Sequence, residues 1–262
     1  LRGDQSPNTP ILEKIGRVLR FYWRLIRYAF RSHSEVFHIQ WMTKFVYFDR
    51  TVLNLYYKAL GKKLILTAHN VNAAVRDEKD SFLNRLTLKF MYQMMQHVIV
   101  HTNSMKRQLI ESFHIPDYKV SVVPYGINNM VYQSELTSSE ARRLLGLASD
   151  QKVLLFFGVI SPYKGLEYLL LALAERVKRI ENLRLIIAGR VTNRSKEYWT
   201  EIERIKKANR LEDYLIERVE FIPDEEIERY FKAADVLVLP YKFIFQSGVL
   251  FMALAFGLPM IA

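Results

Sequence analysis

Short apolar runs alternate along the chain with longer stretches in which apolar residues recur every three or four positions. EVFHIQW (35–41), KKLILTAHN (62–70), HVIVHT (97–102) and KVSVVPYGIN (119–128) read as strands, the last closed by Pro124 and Gly126. Between them, FVYFDRTVLNLYYKAL (45–60), SFLNRLTLKFMYQMM (81–95) and SMKRQLIESF (104–113) have helical spacing, with Ser104 as the expected N-cap of the third. A polar interval runs from Asn128 to Ser139, and then the rhythm restarts. Strands are predicted at 152–158, 183–189, 218–222, 235–240 and from Leu258 onward, with helices at 165–180, 195–208, 224–234 and 247–257. Strands alternating with helices of this length build parallel βαβ units. The pattern therefore predicts an α/β protein of two doubly wound parallel-sheet domains, residues 1–132 and 133–262, facing a cleft. The chain opens without Met and stops inside a predicted strand, so both domains are expected to be incomplete pieces of a longer protein.

One further helix precedes the first strand. ILEKIGRVLRFYWRLIRYAFR (11–31) sets Ile11, Ile15, Val18, Leu19, Tyr22, Leu25 and Ile26 on one predicted face. Lys14, Arg17, Arg20, Arg24, Arg27 and Arg31 decorate the rest. Residues 1–133 hold 19 Lys and Arg against 9 Asp and Glu, a surplus of 10, whereas the remainder holds 19 against 18. An Arg-rich amphipathic helix with Phe21, Tyr22 and Trp23 is suited to an anionic membrane interface, and the alternative is a basic helix laid on the sheet with its arginine stems packed. No apolar run approaches the roughly 18 to 20 residues that a membrane span needs. The absence of cysteine excludes disulfide and thiolate chemistry and fits a reducing cytoplasm. Cations interleaved with aromatic platforms are not evident, so nucleic acid is not an expected partner.

The candidate chemistry lies at strand ends. In FFGVISPYKG (156–165) a strand stops at Gly158, and Lys164-Gly165 opens an apolar helix. A helix start offers unpaired N–H groups to an anion, and Lys164 adds a full charge. The order is neither a Walker loop nor GxGxxG, and the competing reading is a solvated lysine at an ordinary helix start. Gln246, Ser247, Gly248 and Val249 open a second apolar helix, where Ser247 serves either as a cap or beside amides that grip a second phosphate. His69 follows a strand in LTAHN, as His38 and His101 close others; structural hydrogen bonding competes with catalysis at all three. Asn70 and Asn72 are acceptor-hydroxyl candidates in a turn that favours Asn anyway. No set of His, Asp and Glu has metal-ligand spacing, so neither a metal nor a cofactor is expected.

Together these residues carry a resemblance. FFGVISPYKGLEYLL, LRLIIAG, RVEFIPDEEIERYFKAADVLVLPY and QSGVLFMALAFGLPMIA resemble the donor domain of glycosyltransferase family 4, a GT-B fold of two Rossmann-like domains. LILTAHN, HVIVHTNSMKRQL and VSVVPYGIN resemble its acceptor domain and hinge. The resemblance implies a retaining, metal-independent transfer of sugar from a nucleotide-sugar donor to a glycan or lipid-linked acceptor, as in exopolysaccharide or cell-surface glycan assembly. The expected location is cytoplasmic, peripheral on the inner face of the plasma membrane.

Lys164 corresponds to the family's phosphate-binding Lys, and Ser247, Gly248 and Val249 to its diphosphate loop. His69 corresponds to a histidine near the transferred sugar, Gly126 to the hinge, and Phe221, Ile222 and Pro223 to the region of the nucleotide base. Three positions depart from the family: Val159 stands where many members have Arg, and Ile244 and Met252 stand where they have two glutamates. A subset carries QSG here, which favours an active enzyme. A non-catalytic regulatory relative and a GT-B epimerase acting on nucleotide sugars are the alternatives.

Overall fold

The computed structural model describes residues 10–43, 45–77, 79–126, 134–242 and 247–262. The chain divides after Pro124 into two compact units, eight residues before the boundary expected from the sequence.

In the first unit, β1 (Val36–Ile39), β2 (Lys63–Thr67), β3 (His97–Val100) and β4 (Val120–Val122) form a parallel sheet in sequence order. α1 (Ile11–Arg31) precedes β1. α2 (Val46–Phe48) runs through a π-helical turn at Asp49–Leu53 into α3 (Asn54–Ala59). α4 (Ala73–Arg76), α5 (Phe82–Met94) and α6 (Asn103–Phe113) complete the connections. Buried Asp49 in the π-helical turn accepts hydrogen bonds from the Tyr22 hydroxyl at 2.8 Å and the Thr43 amide at 2.5 Å, which satisfies a carboxylate that would otherwise be costly to bury.

Two expectations change here. α6 starts one residue early because Thr102, not Ser104, is its cap, its hydroxyl accepting from the Met105 amide at 3.1 Å. The single predicted face of α1 is in fact two. Tyr22 and Ala29 are buried, with Val18 and Leu25 half-buried beside them, whereas Ile15, Leu19 and Ile26 join Leu12, Trp23 and Phe30 on an exposed stripe.

The first described helix of the second unit, α7 (Ser138–Leu144), is one the sequence reading did not predict; it starts where the polar interval ends. A capping box nucleates it: the Thr137 hydroxyl accepts from the Glu140 amide, and the Glu140 carboxylate accepts from the Thr137 amide. β5 (Lys152–Phe157), α8 (Leu166–Arg176), β6 (Leu183–Ala188), α9 (Lys196–Ala208), β7 (Leu215–Arg218), α10 (Asp224–Ala233), β8 (Val236–Val238), α11 (Gly248–Ala255) and β9 (Met260–Ile261) follow.

All five strands are parallel, in the order β7-β6-β5-β8-β9. Side chains alternate across the sheet. Val153, Leu155 and Phe157 of β5 enter one core with Ile186 and Ala188 of β6, while Phe156 enters the other with Leu185 and Ile187. Both faces are therefore covered, as a parallel sheet requires. β7 ends at Arg218 instead of Ile222, because Leu215 to Arg218 are the residues that pair with β6, and Phe221 beyond them is exposed.

The chain winds outward from β5 first to β6 and β7, then returns past β5 to β8 and β9. The strand order thus reverses between β5 and β8. Such a switch point leaves a crevice at the carboxyl ends of the two strands, and open α/β sheets bind ligands there.

Candidate active site

Lys164 and Ser247 come together at this switch point. After β5 the chain makes a turn of 3₁₀ helix at Pro162–Lys164, and Gly165 follows at φ +67° as the N-terminal boundary of α8. A Cβ at Gly165 would lie 2.0 Å from the Pro240 carbonyl oxygen, so glycine is needed for the loop after β8 to dock. The close approach that this glycine permits is to Pro240. The Lys242 amide donates to the Tyr163 carbonyl at 2.9 Å, and the Lys242 ammonium pairs with Glu167 on α8.

Lys164 is only 5% exposed. Its ammonium donates to the Phe157 carbonyl at 3.3 Å and lies 5.5 Å from the centroid of the Tyr241 ring. The Tyr241 hydroxyl is 3.1 Å from Ser247 Oγ. A methyl on Gly158 would come within 2.8 Å of Lys164 Nζ and 3.4 Å of Val249 Cγ2, so both loops converge on the end of β5. Burial drives the Lys164 pKa down to about 8, and no carboxylate contributes to that shift. Ser247 stands at the N-cap position of α11 without a side-chain capping bond, because its hydroxyl turns to Tyr241 instead. No side chain caps α8 either. A buried cation beside two uncapped helix starts is an arrangement suited to an anion.

The carboxyl edge continues toward β6 and β7. The Gly189 amide donates to the Arg218 carbonyl and the Gly158 amide to the Ala188 carbonyl. A Cβ at Gly189 would lie 1.9 Å from the Gly158 oxygen, so the two strand ends meet as bare backbone. Arg190, exposed beyond β6, places its guanidinium 5.7 Å from the Phe221 ring centroid. Phe221 is 63% exposed, Ile222 is buried in the core, and Pro223 opens α10.

The first unit carries its own polar row at the carboxyl ends of β1 to β4. His69 stacks on Trp41, with centroids 4.3 Å apart and planes within 10°. Its Nδ1 lies 3.2 Å from Nε2 of His101, whose Nδ1 is 2.9 Å from the Val123 carbonyl. On the other side, His69 Nε2 is 3.3 Å from the Gln40 carboxamide, which also meets His38 at 3.0 Å. Burial first, and the electrostatic influence of His101 second, lower the His69 pKa, which favours its neutral form. Asn70 Oδ1 beside it is buried without a hydrogen-bond partner among the described residues, a condition that ligands or water relieve. Asn72 is structural: its side-chain oxygen caps α4 and accepts from Asn84, and its amide donates to Asp80.

The remaining expectations divide. Gln246 and Ile244 lie outside the described residues. Gly248 and Val249 form the first turn of α11, and Met252 packs against the core of its unit. Gly126 lies two residues beyond the division between units, exposed and with open space where a Cβ would be. Among the described residues no group of three or more His, Cys, Asp and Glu is placed to hold a metal ion, and no helix is long and apolar enough to cross a membrane. Sequence reasoning missed Tyr241, Arg190, Gly189, Gln40 and Trp41. Each follows a strand by one to three residues, but only the strand order reveals which strand ends are neighbours.

Comparison with known proteins agrees with the geometry. The family model described as Glycosyltransferase Family 4 matches residues 1–129, and the model described as Glycosyl transferases group 1 matches residues 151–262. An uncharacterized glycosyltransferase of Methanocaldococcus jannaschii is 29% identical over 175 residues, 63% of this chain and 41% of that protein. A D-inositol 3-phosphate glycosyltransferase of Thermobispora bispora is 32% identical over 136 residues, 49% of this chain and 32% of its own length. The chain thus spans well under half the length of these relatives.

Sucrose-phosphate synthase of Thermosynechococcus elongatus superposes with a TM-score of 0.77 at 19% identity, over 99% of this chain and 63% of that one. HepE of Anabaena, solved with UDP and glucose, gives 0.75 at 20%, over 97% and 65%. Between them the two family models account for nearly the whole sequence, each unit has the fold those neighbours share, and the chain belongs to glycosyltransferase family 4, with the GT-B fold.

Proposed function

We propose that this chain serves a retaining glycosyltransferase that moves a sugar from a nucleoside-diphosphate sugar to a glycan or lipid-linked acceptor, in exopolysaccharide or cell-surface glycan synthesis. The observation that carries the reading is the convergence of buried Lys164, Tyr241 and Ser247 at the switch point between β5 and β8. The donor diphosphate sits on Lys164 and on the first-turn amides of α8 and α11. Phe221, with Arg190 over its ring, offers a stacking face to the nucleobase. HepE, solved with UDP and with UDP-glucose, makes uridine the first nucleotide to try.

As the bond between the anomeric carbon and the diphosphate oxygen breaks, its electron pair passes to the diphosphate. The acceptor hydroxyl bonds to the anomeric carbon from the face the leaving group quits, and its proton passes to the departing phosphate. Donors fixed in advance around that growing charge lower the barrier, and each is commonly worth about 2.7–4 kcal/mol. Lys164 supplies the positive charge without a metal, and His69 contacts the transferred sugar or the acceptor. The exposed apolar stripe of α1, flanked by Arg20, Arg24, Arg27 and Arg31, holds the enzyme on the anionic cytoplasmic face of the membrane.

Met252 supports a second reading. It packs a partly buried thioether where active relatives are expected to keep a glutamate, as a non-catalytic subunit would. A thermal-shift screen of the intact protein against UDP-, GDP- and ADP-sugars, followed by assay of nucleoside diphosphate release with acceptor, separates the two. Stabilisation with release supports the enzyme, stabilisation without release supports the subunit, and no stabilisation by any of them overturns both.

A further inference from the structure

The row of side chains around His69 fixes more than the position of its ring. A backbone carbonyl only accepts hydrogen bonds, so His101 Nδ1, 2.9 Å from the Val123 oxygen, carries a proton. A neutral His101 then has its lone pair on Nε2, 3.2 Å from His69 Nδ1, and the proton in that contact comes from His69. His69 is thereby left with its own lone pair on Nε2. That nitrogen points at Gln40, placed with Oε1 toward His69 and Nε2 toward His38; a half rotation of the carboxamide, which exchanges two nearly identical atoms, keeps both contacts and presents the NH₂ to His69 and the oxygen to His38. A half-turn of the imidazole would keep its stack on Trp41 but put carbons where Nδ1 and Nε2 now stand, so the contacts to His101 and Gln40 fix which way the ring faces.

We propose that His101 is a positioning residue which, through the Val123 carbonyl, holds His69 as the Nδ1–H tautomer, so that His69 Nε2 accepts a hydrogen bond from a hydroxyl of the bound sugar or acceptor. This rests on the reading of His69 as a substrate contact given above, but the tautomer itself does not. In free solution a neutral imidazole prefers the opposite tautomer, with the proton on Nε2, so the environment has to impose this one. Gln40 is the placeholder: its NH₂ occupies the position of the substrate hydroxyl and leaves when the substrate arrives. The two residues on either side of His69 thus act oppositely, one fixing where the proton lies and the other guarding the lone pair.

The test uses long-range ¹⁵N correlation spectra of the histidine side chains at pH 8, where an imidazole is ordinarily neutral. His69 is assigned with the His69→Gln variant. The expected wild-type result is a proton-bearing Nδ1 and a bare Nε2. His101→Gln is expected to preserve it, because a carboxamide donates to Val123 from one end and accepts from His69 at the other. His101→Leu is expected to release His69 to the Nε2–H form, with kcat/KM for sugar transfer falling about tenfold, the value of one hydrogen bond to substrate. Wild-type His69 protonated on Nε2, or a His101→Leu spectrum unchanged from wild type, overturns the proposal. Failure of sugar transfer in the wild type would instead count against the enzyme reading and leave the spectra to decide the tautomer. A melting temperature shared by the Gln and Leu variants excludes loss of fold as the cause of their difference.

Discussion

Replacing Lys164 with Met separates the two consequences of burying an ammonium. The methionine keeps an unbranched stem of similar length and removes the charge. Burial lowers the Lys164 pKa from 10.5 to about 8, and at 1.36 kcal/mol per tenfold change in proton affinity this amounts to about 3 kcal/mol of destabilisation of the empty site. Removing the cation recovers that, less about 1 kcal/mol for the hydrogen bond lost at the Phe157 carbonyl, so the empty variant is expected to be about 2 kcal/mol more stable than wild type at pH 7.

The unfolded chain keeps the proton up to pH 10.5 and the folded chain releases it near 8. Wild-type stability therefore gains from this group as the pH rises from about 8 to about 10.5, while the full cost persists below 8. Lys164→Met lacks that gain. Turnover moves the other way, falling a hundredfold or more, since loss of one fixed charge-stabilising donor costs about 2.7–4 kcal/mol in the barrier. Urea unfolding at pH 7 and pH 9.5, run beside an assay of nucleoside diphosphate release, measures both. A variant that is less stable than wild type at pH 7, or that turns over normally, would falsify the assignment of Lys164 as a buried, anion-seeking cation.

Other expectations follow from the same geometry. Gly189→Ala forces a methyl against the Gly158 oxygen and should lower unfolding free energy by about 1–3 kcal/mol or more, while a loss under about 0.5 kcal/mol by urea titration would mean the two strand ends do not touch. Tyr241→Phe keeps the ring over Lys164 but frees Ser247, so donor affinity by calorimetry should drop several-fold, about 1 kcal/mol, with the fold intact; equal affinity rules out Tyr241 as the link.

Burial nudges the Asp80 carboxyl upward, but hydrogen bonds from Asn84, Arg85 and Asn72 prevail and bring its pKa down to about 2, so its contribution is complete above 3.8 and is lost as the pH falls toward 2. Asp80→Asn should therefore be less stable at pH 7 and show a shallower acid limb in a denaturation series, and a limb identical to wild type counts against the network. The pair Leu19→Glu and Trp23→Glu on the exposed stripe of α1 should abolish flotation with anionic vesicles without lowering the melting temperature, and persistent flotation would move the membrane contact elsewhere.

The parallel sheets were legible because periodicity carries over into packing. The strand LLFF reads as apolar on both sides and is buried on both, and 11–31 reads as one helix and is one. Patterning was less informative about ends and faces. The α1 pattern names apolar positions without saying which of them meet the sheet, so an exposed stripe was folded into the packed one. Phe221 looked like strand because it is aromatic beside Val219 and Ile222, yet it lies beyond the residues that pair with β6. At the site, Lys164 and Ser247 announce themselves as a cation and a hydroxyl at helix starts. Tyr241 does not, because an aromatic after a strand is ordinary, and its value arises only from reversal of strand order bringing two distant loops into contact. The same holds for His69, whose partners Gln40, Trp41 and His101 come from neighbouring strands 28 to 32 positions away.

The meeting of Gly158 and Gly189 limits how this unit can diversify. Where two main chains touch, no side chain can be introduced, so the floor of this crevice offers natural variation nothing to alter. On the proposed function, preference for one nucleotide over another falls to the margins, on groups such as Arg190 and Phe221 that stand clear of that contact. Relatives that differ in donor should therefore share the floor and differ at its rim.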